Sequence, residues 1–165
     1  MSPFAELIEK GVRCPRAARL RVLYVCTGNS CRSQMAEGWT CALLGRLIEP
    51  YSAGVDLHQI DSAAIAVMAE AGVDISRHRP IALDDLRLDS FDCIVTLSER
   101  ARAGVASFGY PGRTIHQSFA ASPKTGVSEP LEYYRRVRDD LRKFVLNVCT
   151  RLINEQSVSS KVLNA

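Results

Sequence analysis

Apolar residues near the start of the chain predict a buried strand that leads into a helix. Residues 22–25 are apolar in succession, with β-branched and aromatic side chains, which is typical of a parallel strand buried on both faces. Turn-forming residues follow at 27–30, and a helical pattern runs from Gln34 to Leu44 and is closed by Gly45.

Strands and helices continue to alternate along the chain. The next predicted elements are a strand at residues 51–53, a helix from Ser62 to Ala71, a strand over 91–97, a helix from Glu99 and a short strand near 114–115. Ser128 and Pro130 then mark the start of a long helix. Its apolar residues recur at three- and four-residue steps on one face: Leu131, Tyr134, Val137, Leu141, Phe144, Val148 and Leu152.

This alternation predicts an α/β fold, a doubly wound parallel four-stranded sheet with helices on both faces. The length of 165 residues suits one domain. We assign residues 21–156 to that domain, 1–20 to an N-terminal extension and 157–165 to a flexible tail, because the strand pattern begins at 21 and the final residues are polar.

Composition and charge narrow the function classes. Hydrophobic residues make up 47% and charged residues 24%, which excludes a disordered or membrane-spanning chain. The first 20 residues mix charged with apolar side chains, so no signal peptide is predicted and we expect a cytoplasmic protein without a membrane partner. The net charge of +3 suits a small anionic substrate. The basic run at 135–143 is interleaved with acids, which indicates a solvated helix face and no nucleic-acid partner.

Six cysteines are predicted to be free thiols, because no secretion signal is predicted. No C-x-x-C pair occurs, and the three histidines stand apart from the cysteines, so no metal site is predicted. We expect Cys41, Cys93 and Cys149 to pack in the core, because they lie in predicted helices or strands.

The segment between the first strand and the first helix carries the candidate chemistry. It reads Cys-Thr-Gly-Asn-Ser-Cys-Arg-Ser over residues 26–33 and lies at the carboxyl end of a strand, where such sheets bind ligands. A loop that turns from strand to helix directs backbone N–H groups into one concavity, and the helix N-terminus adds partial positive charge. Gly28 and Asn29 tolerate the positive φ angles that this loop needs. The loop is therefore predicted to bind an oxyanion.

Three side chains of this loop are candidate catalytic residues. Cys26 faces the anion, and the donors that bind the anion also stabilise a thiolate. Arg32 is expected to hold two oxygens bidentately, and Ser33 to donate its hydroxyl to the thiolate. The expected binding residues are Thr27, Gly28, Asn29, Ser30, Cys31 and Arg32. The alternative interpretation is a buried structural cysteine beside a turn.

Residues 22–39 resemble the opening of the low-molecular-weight protein tyrosine phosphatase superfamily. Thr27, Ser30 and residues 34–35 favour its arsenate reductase branch. Further similarity lies at 51–54, 69–76, 91–92, 95–97 and 134–139, so the resemblance covers about residues 21–150. It implies that Cys26 is the attacking thiolate, that Arg32 and the loop amides bind the oxyanion, and that Ser33 is the partner of the thiolate.

Two positions depart from the family pattern. Phosphatases carry an Asp-Pro pair whose Asp is the general acid, and here Ser122 precedes Pro123. Thioredoxin-linked reductases carry a resolving cysteine where this chain has Ser98. The resemblance therefore implies no bound cofactor but an external thiol, such as glutathione or mycothiol, with a glutaredoxin or thioredoxin partner. Cys31 is the internal candidate for a disulfide with Cys26.

Some reductase relatives also bind potassium beside the loop. Asn29, Glu37 and Ser52 match three of the ligand positions, whereas Ile81 stands at the fourth, acidic one. We therefore predict no metal ion.

The sequence leaves three functions open. The leading hypothesis is a thiol-dependent arsenate reductase in which Cys26 attacks arsenate and an external thiol completes reduction to arsenite. The alternatives are a tyrosine phosphatase that hydrolyses its substrate through a phosphocysteine, and a non-catalytic oxyanion-binding or redox-sensing relative.

Overall fold

In the described part of the chain, four parallel strands form one sheet. The computed structural model describes residues 19–120 and 131–163, with side chains described through residue 157. The strands are β1 (Leu20–Cys26), β2 (Ile48–Gly54), β3 (Cys93–Thr96) and β4 (Arg113–His116). They lie in the order β2-β1-β3-β4, and all neighbouring pairs are parallel. The predicted sheet is therefore confirmed, with β1 at its centre.

Four α-helices of the described residues cover the two faces of the sheet. They are α1 (Arg32–Leu44), α2 (Ser62–Glu70), α3 (Glu99–Ser107) and α4 (Leu131–Leu163). Helices α1, α2 and α4 pack together on one face, and α3 packs on the other against β1 and β3. The chain runs from β1 to β2 on one side of β1 and then crosses to β3 on the other side. The strand order therefore reverses at β1, and the reversal point lies at the carboxyl end of that strand.

Two helix boundaries differ from the prediction by more than one residue. Helix α1 begins at Arg32, two residues before Gln34, because the amide of Met35 already donates to the carbonyl of Cys31 (2.9 Å). Helix α4 continues through Leu163, past residue 157, where a flexible tail was expected. Polar residues alone do not end a helix, and the last 15 residues contain neither Gly nor Pro. The predicted cap at residues 128–130 lies outside the described residues.

Strand β1 is buried on both faces. Val22 and Tyr24 belong to the core beneath α1, α2 and α4, whereas Leu23 and Val25 belong to the core on the α3 side. Alternate side chains of a strand point to opposite faces, so one apolar run supplies both cores. This double burial fixes the position at which β1 ends, and Cys26 is the last residue of β1.

The cysteines divide between the core and the surface. Cys93 and Cys149 are buried, which confirms their predicted packing. The prediction for Cys41 is wrong, because its side chain is exposed. Trp39 is buried and donates its indole N–H to the carbonyl of Arg138 (3.1 Å). Two residues of helix turn about 200°, so Cys41 lies on the opposite face of α1 from Trp39.

None of the described helices is both long enough and apolar enough to cross a membrane.

The packing of α4 gives a test of the fold. Leu141 is fully buried and Leu131, on the same helix, is 38% exposed. We expect Leu141→Ala to lower the free energy of unfolding by about 2–5 kcal/mol, because it removes buried methyl groups and leaves a cavity. Leu131→Ala is the matched control and is expected to cost less than about 1 kcal/mol. Urea unfolding measures both, and equal losses would contradict the described packing of α4.

Candidate active site

The loop of residues 26–33 lies where the fold places ligand sites. It connects the end of β1 to the start of α1, beside the carboxyl end of β3. Such a reversal point in a doubly wound sheet opens a crevice above the strand ends. Glycine is required where β2 ends against this loop, because a Cβ on Gly54 would lie 2.7 Å from the amide nitrogen of Asn29.

A neighbouring segment turns the loop carbonyls outward. The amides of residues 55, 56, 58 and 61 donate to the carbonyls of Cys26 (3.4 Å), Thr27 (2.8 Å), Gly28 (2.9 Å) and Ser30 (2.8 Å), respectively. In a trans peptide unit the N–H points away from the carbonyl, so the amides that follow these four carbonyls face the interior of the loop. The geometry therefore forms a concave surface of backbone donors at the N-terminus of α1, which suits an oxyanion.

The side chain of Asn29 closes the loop from within. Asn29 has φ of 51° and is fully buried. Its Nδ2 donates to Ser33 Oγ (2.8 Å) and Ser52 Oγ (2.9 Å). Its Oδ1 accepts from Gln34 Nε2 (3.1 Å) and from the backbone N–H of Ile81 (2.8 Å). The left-handed conformation is thus held by four hydrogen bonds to groups from four positions of the chain.

Ser33 connects this network to the thiol of Cys26. The Oγ of Ser33 lies 2.9 Å from Cys26 Sγ, and both side chains are buried. Because Asn29 donates to Ser33 Oγ, the hydroxyl proton of Ser33 is free to point at the sulfur. A donor in that direction stabilises a thiolate rather than a thiol.

Arg32 reaches over the carboxyl ends of β3 and β4. The side chain is 8% exposed, and its Nη1 donates to the carbonyls of Phe119 (3.0 Å) and Leu97 (3.5 Å). Among the described residues these contacts use one guanidinium nitrogen, Nη1, and leave Nε and Nη2 for another acceptor. The arrangement fits bidentate binding of an oxyanion.

The two remaining positions of interest are Cys31 and Ser98. Cys31 is a free, buried thiol, and its pKa is raised by burial and further by the nearby Asp61. Ser98 caps α3 by accepting from the amide of Ala101 (3.2 Å), and its Oγ lies 3.1 Å from Thr27 Oγ1. The serine at the resolving position is therefore in contact with the loop. Ser122 lies outside the described residues.

The residues that match a potassium site do come together, but they do not fit a cation. Ser52 accepts from Asn29 and donates to Glu37 Oε2 (2.5 Å). The Oδ1 of Asn29 already accepts from two donors, and Ile81 contributes only its backbone N–H. In the part of the chain that the structure describes, no group of three or more His, Cys, Asp or Glu side chains could hold a metal.

Sequence reasoning missed several supporting residues. The imidazole of His58 lies against Gly28, where a Cβ would be 2.5 Å from its Nδ1. His78 Nδ1 lies 2.8 Å from Gln34 Oε1, and Tyr134 OH donates to Asp61 Oδ2 (2.7 Å). Only Asp61 had a local signal, because Asp is a favoured helix cap and Asp61 precedes α2. The other contacts join residues that are far apart in the chain.

Residues 21–158 match the family described as low molecular weight phosphotyrosine protein phosphatase, and the chain belongs to this family. The chain is 34% identical over 130 residues to an arsenate reductase of Staphylococcus aureus strain bovine RF122, a match that covers 79% of this chain and 96% of that protein. It is 35% identical, with the same coverage, to arsenate reductase 2 of Staphylococcus epidermidis strain RP62A.

Solved structures give the same fold. An arsenate reductase in the phosphate binding state superposes with a TM-score of 0.66 at 29% identity, covering 80% of this chain and 98% of that one. A low molecular weight protein tyrosine phosphatase from T. tengcongensis superposes with a TM-score of 0.65 at 29% identity, covering 80% of this chain and 99% of that one.

The Asn29 network predicts a loss of anion binding when the amide is removed. We expect Asn29→Ala to weaken phosphate binding at least about tenfold and to lower the free energy of unfolding by about 2–4 kcal/mol, since it leaves buried donors unpaired at a positive φ. Calorimetric titration with phosphate and urea unfolding measure the two effects. Asn29→Gly removes the same hydrogen bonds without the φ penalty, and Asn147→Ala, on the exposed face of α4, is the control. Wild-type phosphate affinity in Asn29→Gly would contradict this role of the side chain.

The raised pKa of Glu37 makes its contribution to the free energy of unfolding depend on pH. Burial raises the pKa of this carboxyl, and the hydrogen bond from Ser52 only partly opposes the shift. The folded protein therefore keeps the proton to higher pH than the unfolded chain, so this group lowers the free energy of unfolding as pH rises above about 4.3. We expect Glu37→Gln to gain stability relative to wild type in urea unfolding as the pH rises above about 4.3. Glu132→Gln, at an exposed position, is the control, and a pH-independent difference for Glu37→Gln would contradict the shift.

Proposed function

We propose that this protein is a thiol-dependent arsenate reductase that uses Cys26 as its nucleophile. The observation that carries the proposal is the 2.9 Å contact between Cys26 Sγ and Ser33 Oγ at the base of an oxyanion cradle. The curated relatives at 34–35% identity that match this chain over 130 residues are named arsenate reductases. We place the reaction in the cytoplasm, where thiols stay reduced.

The first step forms a bond between sulfur and arsenic. The inward-facing amides of the loop and the free N–H groups of Arg32 hold the arsenate oxygens, and the N-terminus of α1 adds positive potential. The Cys26 thiolate attacks arsenic, an oxygen leaves and takes up protons as water, and a Cys26–arsenate adduct remains. Ser33 stabilises the thiolate before attack by the hydrogen bond that Asn29 orients.

The second step transfers two electrons to arsenic. An external thiolate attacks Cys26 Sγ, the sulfur–arsenic bond breaks with its electron pair on arsenic, and arsenite leaves. A mixed disulfide between Cys26 and the external thiol remains, and a second thiol or a glutaredoxin reduces it to regenerate the Cys26 thiolate. An external thiol fits this chain because Ser98 stands at the resolving position and burial raises the pKa of Cys31, which disfavours its thiolate.

The two alternative functions are less well supported. Hydrolysis of a phosphate ester uses the same cradle but requires a proton for the leaving oxygen, and the hydroxyl of Ser122 is a poor acid near neutral pH. A redox sensor that forms a Cys26–Cys31 disulfide needs a reactive second thiol, whereas Cys31 is buried and its pKa is raised. Both arguments favour the reductase.

Arsenite formation from arsenate tests the proposal. We expect wild type to form arsenite with glutathione and glutaredoxin. The rate of arsenite formation should fall at least about 1,000-fold in Cys26→Ser, to the level measured without enzyme, because this variant lacks the nucleophile. Cys41→Ser is the matched control, since Cys41 is an exposed thiol on the far face of α1, and it should keep wild-type activity. A parallel assay with thioredoxin identifies the donor. Phosphate binding without arsenite from any thiol donor would overturn the reductase in favour of the alternatives.

A further inference from the structure

A cleft of about 430 Å³ adjoins the anion-binding loop. Its walls are residues 57–60, which follow β2, and residues 78–80, which precede the contact of Ile81 with Asn29. The volume lies in the range of small-molecule binding sites. The roles proposed above for the loop residues do not use this cleft.

Both walls of the cleft are bonded to the loop. On one side the amide of His58 donates to the carbonyl of Gly28 (2.9 Å), and the His58 ring covers Gly28. On the other side His78 contacts the Oε1 of Gln34 (2.8 Å), and the Nε2 of Gln34 donates to the carbonyl of Asn29 (3.1 Å). A molecule in the cleft therefore lies beside the outer, carbonyl side of the loop whose inward-facing amides form the oxyanion cradle.

The cleft carries positive charge. Arg79 is exposed, its Nη1 donates to the carbonyl of His78 (3.0 Å), and no carboxylate of the described residues lies within ion-pair distance of it. The acidic groups nearby are engaged elsewhere: Asp56 with Arg100, Asp61 with Tyr134 and the amide of Ala63, and Asp74 with the amide of Ser76.

Apolar side chains complete the cleft. Leu57 is 50% exposed at its rim, and Ile60 and Pro80 line it. The sequence has no cysteine between Cys41 and Cys93, so neither wall supplies a thiol of its own. A ligand that complements this cleft has a carboxylate that binds Arg79 and an apolar portion that packs on Leu57. Because the walls contain no cysteine, a thiol at this position has to belong to the ligand.

We propose that this cleft binds the external thiol substrate, and that the substrate is a small peptide thiol with free carboxylates. This inference rests on the proposed reductase function. Arg79 binds a carboxylate of the thiol, and the cysteinyl arm extends along the loop to Cys26. There the thiolate displaces arsenite from Cys26 Sγ: one sulfur–sulfur bond forms, the sulfur–arsenic bond breaks, and its electron pair reduces arsenic.

Arsenite formation with two thiols tests the assignment. Glutathione is the carboxylate-bearing probe, and 2-mercaptoethanol is the neutral one. We expect Arg79→Gln to raise the KM for glutathione about tenfold, since it removes a charge-assisted hydrogen bond, and to leave the KM for arsenate unchanged. The rate with 2-mercaptoethanol should change less than twofold. Arg77→Gln is the matched control, because Arg77 is exposed two residues away and does not line the cleft.

Direct binding separates this proposal from the proposed function. S-methylglutathione, which cannot react, is titrated into wild type and both variants, and we expect only Arg79→Gln to bind it more weakly. If no thiol supports arsenite formation, the reductase proposal fails and this inference fails with it. If arsenite forms but Arg79→Gln behaves like Arg77→Gln with glutathione and with S-methylglutathione, the reductase stands and the thiol site is overturned. An equal loss of arsenite formation by Arg79→Gln with glutathione and with 2-mercaptoethanol would also overturn the thiol site.

Discussion

The carboxamide of Asn29 is the constraint on which the loop depends. A non-glycine residue with positive φ is unfavourable, although Asn tolerates this conformation better than most residues. The cost is offset because the side chain bonds to the start of α1 through Ser33 and Gln34, to β2 through Ser52, and to the backbone of Ile81. A buried amide has two donor hydrogens and one carbonyl oxygen, and all of them are used. These hydrogen bonds therefore hold the loop in the conformation that directs its backbone amides inward.

This network links Cys26 to the cleft. Cys26 contacts Ser33, Ser33 accepts from Asn29, Gln34 donates to Asn29, and His78 contacts Gln34, with Arg79 next in the chain. Buried polar groups are costly without a partner, and each of these groups has one. The oxyanion cradle and the cleft are thus held by one set of contacts rather than by two.

The sequence predicted what depends on neighbouring residues and missed what depends on distant ones. The apolar run of β1 indicated a strand buried on both faces, and the residue types at 26–33 indicated an oxyanion loop, because strand burial and turn chemistry are local properties. The exposure of Cys41 was also predictable from helical periodicity relative to Trp39. The bond from Ile81 to Asn29 and the packing of His58 on Gly28 span tens of residues, and no periodic pattern encodes them.

Ser98 stands where the thioredoxin-linked reductases carry a resolving cysteine, which is consistent with the external thiol that we propose. Ser98 Oγ accepts from the amide of Ala101 to cap α3 and also contacts Thr27 Oγ1, so it joins β3, α3 and the loop. A hydroxyl makes both hydrogen bonds well, whereas a thiol is a weak donor and acceptor. A cysteine at this position would supply electrons but would hold the loop less firmly. In this protein Ser98 contacts the loop, and the adjoining cleft, where Arg79 has no carboxylate partner among the described residues, is the site that we propose for the external thiol.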